Sequence, residues 1–142
     1  MRSSSALSQS HRPRCGWRPI SAVSSTLAGK AYGIVFVNSS CSACRSELGD
    51  MMSMKFDDKF SMLVAAVDVK LDRTVATYRN DLGVTYPILD DSKFKVAMTF
   101  GIGFTPATVI VGKDGKVEYL SAGYTTETKE KTVAAFGKYA RK

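Results

Sequence analysis

"VNSSCSAC", residues 37–44, joins an apolar run to a polar, helix-like stretch. Its two cysteines, Cys41 and Cys44, are separated by two small residues, Ser42 and Ala43. A pair at this spacing serves as a redox dithiol, as half of a zinc site, or as two unrelated thiols, and the surrounding pattern decides among them. Upstream, "GIVFV" (33–37) is a β-branched run that predicts a buried strand. Downstream, "CRSELGDMMSMKFDDKF" (44–60) sets Leu48, Met51, Met52 and Phe56 at helical spacing, which predicts an amphipathic helix. Cys41 then falls at a helix N-terminus, where unpaired N–H groups and the positive end of the dipole favour an anion. The thiolate is the reactive form of cysteine, and this placement lowers the thiol pKa. Cys44 lies one turn behind, within reach of a disulfide.

The rest of the chain repeats the alternation. "SMLVAAVDV" (61–69) reads as a second buried strand and "DRTVATYRNDLG" (72–83) as a helix closed by Gly83. "YPIL" (86–89) is a short extended piece. "DSKFKVAMTFG" (91–101) reads as a helix with Phe94, Ala97 and Met98 on one face. "PATVIVG" (106–112) and "KVEYLSA" (116–122) are strands joined by the turn "KDG". "TTETKEKTVAAFGKYARK" (125–142) closes the chain as a helix with Thr125 or Thr126 as N-cap. Strands alternating with helices and ending in a hairpin predict an α/β domain with a mixed sheet.

At 142 residues the chain has the length of one domain. Apolar content of 44% and charged content of 23% suit a globular protein, and no apolar run has the length of a membrane span. The net charge of +7 is concentrated early, in Arg2, Arg12, Arg14, Arg18 and Lys30, with no acid among residues 1–30. From residue 31 onward the balance is only +2, and no basic groove with interleaved aromatics points to nucleic acid. Residues 1–19 read as a disordered, targeting-like or tag-like tail, rich in serine and arginine, ahead of a domain at 20–142. The tail lacks the apolar stretch of a secretory signal; its Ser-rich, Arg-rich, acid-free composition is that of an organellar transit peptide or of an arbitrary leader.

The stretches "GIVFVNSSCSACRSEL", "YPILDD" and "GIGFTPATVIVGKDGKV" together resemble the thioredoxin fold, in the TlpA/ResA-like branch that includes exported thiol–disulfide reductases of cytochrome c maturation. The resemblance covers about Ile20 to the C-terminus. It implies a central mixed sheet flanked by helices, with a cis-proline loop opposite the two cysteines. Pro106 would be that cis-proline, and the Thr105 backbone would pair with an extended substrate segment. Cys41 and Cys44 would form the redox disulfide, Cys41 as nucleophile and Cys44 as resolving thiol. Glu47, three residues after Cys44 on the same helix face, matches an acid that tunes the cysteines and moves protons in ResA-like proteins. Its plainer reading is a residue that favours the first helical turns. Ordinary thioredoxin carries a buried Asp where this chain has Val35. Two departures stand out: Ser40 replaces the usual Trp before the first cysteine, and Ser42-Ala43 lacks the proline many members have.

The resemblance implies an enzyme without cofactor or metal, acting on protein disulfide or dithiol partners and re-reduced by an upstream thiol donor. It also implies a monomer, with no nucleic acid partner and no membrane span in this chain. The place expected is extracytoplasmic, with an organelle or the cytoplasm as alternatives. Two other functions compete. One is a thioredoxin-like binding domain without turnover. The other is a zinc module using His11, Cys15, Cys41 and Cys44. Copper-chaperone chemistry needs a histidine after the motif, and His11 precedes it. Met51, Met52 and Met54 are expected to pack at a helix–sheet interface, and Tyr78, Tyr86, Tyr119 and Tyr124 to keep their hydroxyls at the rim. Lys138, Arg141 and Lys142 complement the last helix dipole.

Overall fold

The computed structural model describes residues 17–19, 27, 29–68 and 71–141. Three strands carry the centre: β2 (Ala31–Val37), β3 (Phe60–Ala66) and β5 (Ala107–Val111). All are nearly continuous apolar runs, as strands covered on both faces must be. β4 (Ile88–Asp90) and β1 (Trp17–Pro19) extend the sheet on one side, and β6 (Val117–Ala122) ends it on the other. The order is β1-β4-β3-β2-β5-β6, with β1 to β4 mutually parallel where they pair and β5 and β6 antiparallel. The mixed sheet and thioredoxin-like arrangement match the expectation.

Side chains alternate between the faces with period two. Val35 and Val37 of β2 join one core with Leu48, Met51, Tyr78 and Phe136, while Ile34 and Phe36 join the other with Leu63, Leu89, Ala97 and Val109. Helices α1 (Ser42–Ser53) and α4 (Thr126–Gly137) therefore cover the first face, together with α2, which runs as an α-helix over Leu71–Val75 and continues as a π-helical turn over Ala76–Asp81. The short α3 (Lys95–Thr99) covers the second. Thr125 caps α4 in a reciprocal capping box with Thr128.

Several expected boundaries move. The helix expected to run to residue 60 stops at Ser53. Met54 turns extended and Phe56 bridges to Ala140. There Phe56 lies edge-on to Phe136 at 5.8 Å and tilted on Phe60 at 5.3 Å, so its ring is packed and half-buried without helical continuation. The helix expected over 91–101 is confined to Lys95–Thr99. Asp91 is buried instead, its carboxylate accepting the N–H groups of Val96 and Ala97 at 3.0 and 2.9 Å. With so short a helix only Ala97 is buried, Val96 packs partly against the same core, and Phe94 and Met98 lie exposed. The last helix ends at Gly137, ahead of residue 142. At the N-terminus, Trp17–Pro19 pairs with Ile88–Asp90, just ahead of the expected domain start at residue 20. Residues 1–16, with His11 and Cys15 of the zinc reading, lie outside the described residues.

Gly33 is a point of close approach. A Cβ there would fall 2.7 Å from the Phe136 ring and 3.0 Å from the Met62 sulfur. Gly33→Ala should therefore destabilise the fold by about 1–3 kcal/mol, the cost of overpacking a core. Urea unfolding would read this as a lower midpoint at unchanged slope. An unchanged midpoint would mean that Phe136 moves aside freely.

Candidate active site

β2 ends at Val37, and four residues later Cys41 caps α1. Cys41 has extended backbone angles (φ −96°, ψ 102°), and its sulfur accepts the N–H of Cys44 at 3.1 Å. The N–H groups of a first helical turn have no partners within the helix, so a sulfur in the cap position supplies one. Cys41 and Cys44 are joined as a disulfide with Cα atoms 5.2 Å apart. The two sulfurs differ in surroundings: Cys41 is half-buried, whereas Cys44 is fully buried beside the Phe36 carbonyl.

Short polar contacts fix the loop between strand and cap. Ser39 donates both its N–H (3.1 Å) and its hydroxyl (2.6 Å) to one carboxylate oxygen of Asp68, which also receives Thr74 Oγ1 at 3.4 Å. The Asn38 side chain faces two ways: its oxygen accepts the Ser40 N–H at 2.9 Å, and its Nδ2 donates to Thr105 Oγ1 at 3.1 Å. From below, the Tyr78 hydroxyl donates to the Asn38 carbonyl at 2.7 Å and approaches the Cys41 carbonyl at 3.5 Å.

The Asn38–Thr105 bond ties the cysteine loop to the second loop of the site. The Thr105–Pro106 peptide is cis. Thr105 is half-buried and Pro106 buried. The next residue, Ala107, pairs with Phe36 near the end of β2, so Pro106 adjoins the place where the cysteine loop begins. The Pro106 carbonyl accepts the Gly123 N–H at 2.7 Å, which holds the loop against the end of β6.

Glu47 lies beneath, on α1. It is wholly buried; one carboxylate oxygen accepts the Thr108 hydroxyl and the other has no protein partner. Burial pushes its pKa up to about 7, against the lowering effect of the Thr108 bond and with a smaller upward push from Asp50. Thr108 pairs directly with Val35 across β2 and β5. The Glu47 carboxylate thus reaches β5 opposite the strand position where ordinary thioredoxin has its acid. Asp50, one turn on, accepts the Tyr124 hydroxyl at 2.6 Å and lies 3.5 Å from Lys129 Nζ.

Cys41, Cys44, Thr105 and Pro106 thus come together at the ends of β2 and β5, and Glu47 is sealed one helical turn behind Cys44. Asn38, Ser39, Asp68 and Thr108 were not singled out by the sequence, and Tyr78 was read only as a packing residue. Tyr78 corrects the expectation of a rim hydroxyl: it is fully buried and its hydroxyl serves the cysteine loop. Nothing local to "ATYRND" announces this, because the partner carbonyl lies 40 residues upstream. The polar run "NSS" beside the motif was the one available sign that the loop would need partners. Among the described residues no cluster of metal-ligating side chains occurs, and no helix is long and apolar enough to cross a membrane.

The ResA thiol–disulfide oxidoreductase of Geobacillus thermodenitrificans (strain NG80-2) is 30% identical over 104 residues, 72% of this chain and 59% of that protein. ResA of Bacillus thuringiensis (strain Al Hakam) is 29% identical over 93 residues, 64% of this chain and 54% of that protein. The chain thus spans little more than half the length of these curated relatives. The crystal structure of StoA from Bacillus subtilis shares the fold, with a TM-score of 0.59 at 21% identity over 75% of this chain and 84% of that one. The AhpC/TSA family pattern matches residues 13–120, from ahead of β1 into β6 and through both loops of the site. By that match the chain belongs to the AhpC/TSA family, and it is similar in sequence to the ResA proteins and in fold to StoA.

Proposed function

We propose that the chain is a thiol–disulfide oxidoreductase that reduces protein disulfides through Cys41 and Cys44. The observation that carries this reading is the asymmetry of the pair: a half-exposed sulfur capping a helix N-terminus, joined to a fully buried one. An incoming sulfur reaches the first far more readily than the second, and the helix end stabilises the first as thiolate.

In the reduced protein the Cys41 thiolate attacks one sulfur of a substrate disulfide. A Cys41–substrate bond forms, the substrate S–S bond breaks, and one substrate sulfur leaves as thiolate. Cys44, deprotonated, then attacks the Cys41 sulfur. The Cys41–Cys44 bond forms, the mixed disulfide breaks, and the second substrate sulfur leaves. Two electrons pass to the substrate, and the two protons lost by the cysteines end on the two substrate thiols. An upstream thiol donor returns the electrons by the reverse exchange.

Thr105 and Pro106 would receive the substrate segment, the Thr105 backbone pairing with it as an added strand. Glu47 would accept the proton from Cys44. Its pKa of about 7 lets it change protonation in the neutral range, and its second carboxylate oxygen has no other protein partner. The TlpA/ResA-like resemblance supports an extracytoplasmic place and a part in cytochrome c maturation. The reduction potential of the pair in a glutathione series tests the direction: a value well below the glutathione poise supports a reductase, and one well above it an oxidase.

Brief iodoacetamide treatment of the reduced protein at neutral pH should modify Cys41 before Cys44, read by peptide mass. Cys41→Ser should abolish insulin-disulfide reduction, and Cys44→Ser should accumulate mixed disulfides with substrate. An active Cys41→Ser variant would remove the assigned nucleophile.

Glu47→Gln keeps the shape of the side chain and deletes its charge. Both thiol pKa values should fall, that of Cys44 more, since the ionised carboxylate disfavours a nearby thiolate. Thiolate absorbance against pH measures this, and superimposable curves would return Glu47 to a structural part. Stability supplies a second readout. Glu47 holds its proton more tightly folded, at about 7, than at the ordinary value of 4.5. Its contribution is therefore full below about pH 4.5 and is lost as the pH rises to about 7. Glu47→Gln should match the wild type at pH 4 and exceed it by about 3 kcal/mol at pH 8, in urea unfolding of the oxidised proteins.

A further inference from the structure

Tyr78 has no part in the exchange just described, yet its hydroxyl ends at the cysteine loop. α2 opens as an ordinary helix and widens into a π-helical turn at Ala76–Asp81, where the Leu82 N–H reaches the Thr77 carbonyl five residues back. Such turns are rare and recur at functional sites. Here the turn carries Tyr78, fully buried, with its hydroxyl 2.7 Å from the Asn38 carbonyl and 3.5 Å from that of Cys41. These two carbonyls flank the stretch that turns the chain from β2 into α1. Asn38 is also the residue whose side chain bonds both the Ser40 N–H and Thr105 Oγ1. One buried hydroxyl therefore fixes the backbone of the residue that joins the two loops.

We propose that Tyr78 is a positioning residue for Cys41: its hydroxyl holds the 38–41 backbone in the conformation that makes the Cys41 sulfur a helix cap, and thereby sets the acidity and redox poise of that thiol. The proposal rests on the oxidoreductase reading above. The cap works only while Cys41 keeps the extended angles that aim its sulfur at the Cys44 N–H. A carbonyl that accepts the phenol proton, as that of Asn38 does, also places less negative potential beside a thiolate than a bare one. Both effects stabilise the thiolate and, with it, the reduced protein. The phenol stays a donor wherever the thiols titrate, because burial pushes its pKa up to about 12, with Arg45 pulling down and Asp68 pushing up. Arg45 and Glu47 lie on α1 within three residues of Cys44, Asp68 receives Ser39, and all three keep their charge in a Tyr78→Phe variant.

Thiolate absorbance and iodoacetamide alkylation of reduced Tyr78→Phe test this, with Tyr86→Phe as the matched control. Tyr86 donates to the Met51 carbonyl at 3.0 Å, at the far end of α1, so its loss carries a similar structural cost away from the cysteines. Tyr78→Phe should raise the Cys41 pKa by about 0.5 unit, a size set by helix-terminus interactions, and slow alkylation at pH 7 about three-fold. Its reduction potential should become more negative, and Tyr86→Phe should leave all three readings at the wild-type value. A Tyr78→Phe protein that only melts earlier, with the wild-type thiol titration, would overturn the proposal. If Tyr78→Phe does not fold, 3-fluorotyrosine at position 78 supplies a nearly isosteric, stronger donor. A downward shift of the Cys41 titration then supports the assignment, and an unmoved one refutes it. The titration needs no substrate, so the proposal can fail while wild-type insulin reduction stands, and the reverse.

Discussion

A single contact organises the site: the Cys41 sulfur accepting the Cys44 N–H at the start of α1. It requires a strand that delivers the chain to a helix end at one height, and a loop that stops short of helical angles for one residue. β2 supplies the first by pairing with β3 along its whole length and with β5 on its other side. The loop supplies the second through partners brought from three other places in the chain. Asp68 follows β3, Thr74 and Tyr78 belong to α2, and Thr105 precedes β5. A helix N-terminus favours an anion only over its first turn. A loop free to shift by an ångström or two would forfeit much of that field.

Glu47 reflects the opposite constraint. Burying a carboxylate costs free energy unless it is neutralised or bonded, and here one hydroxyl is all the protein offers. The outcome is a carboxyl whose pKa is lifted into the neutral range. A sulfur at a helix N-terminus is favoured as an anion once reduced, and a group one turn behind Cys44 is kept close to neutral by an apolar core. The two environments lie along one helix and push acidity in opposite directions, which separates a thiol that should ionise from a carboxyl that can take up a proton.

The sequence displayed most of the frame, because the frame rests on local patterns. The apolar runs at 33–37 and 61–69 became β2 and β3, and Cys-x-x-Cys at a strand-to-helix junction became the capped disulfide. Helix ends were less legible. Periodicity carried the first helix through Phe56, but an aromatic cluster with Phe60 and Phe136 claimed that ring. Asp91 looked like a helix start and became a buried acceptor ahead of a much shorter helix. The supports of the site were hidden for the same reason. Tyr78 finds Asn38 across 40 residues and Thr108 finds Glu47 across 61, and no spacing rule reaches that far.

Ser40 and Ser42-Ala43 acquire a physical meaning from these supports. A Trp ahead of the first cysteine and a proline between the two stiffen a motif loop by packing and by restricting φ. This chain has neither, and Ser40 and Ser42 are exposed to solvent. Its loop is instead held by hydrogen bonds at Asn38 and Ser39, from beneath and from the side. Bonds of that kind are directional and leave the outer surface of the loop bare. The geometry of Cys41 is then fixed from inside the protein, while the outer face of the loop beside it carries the small polar side chains of Ser40 and Ser42.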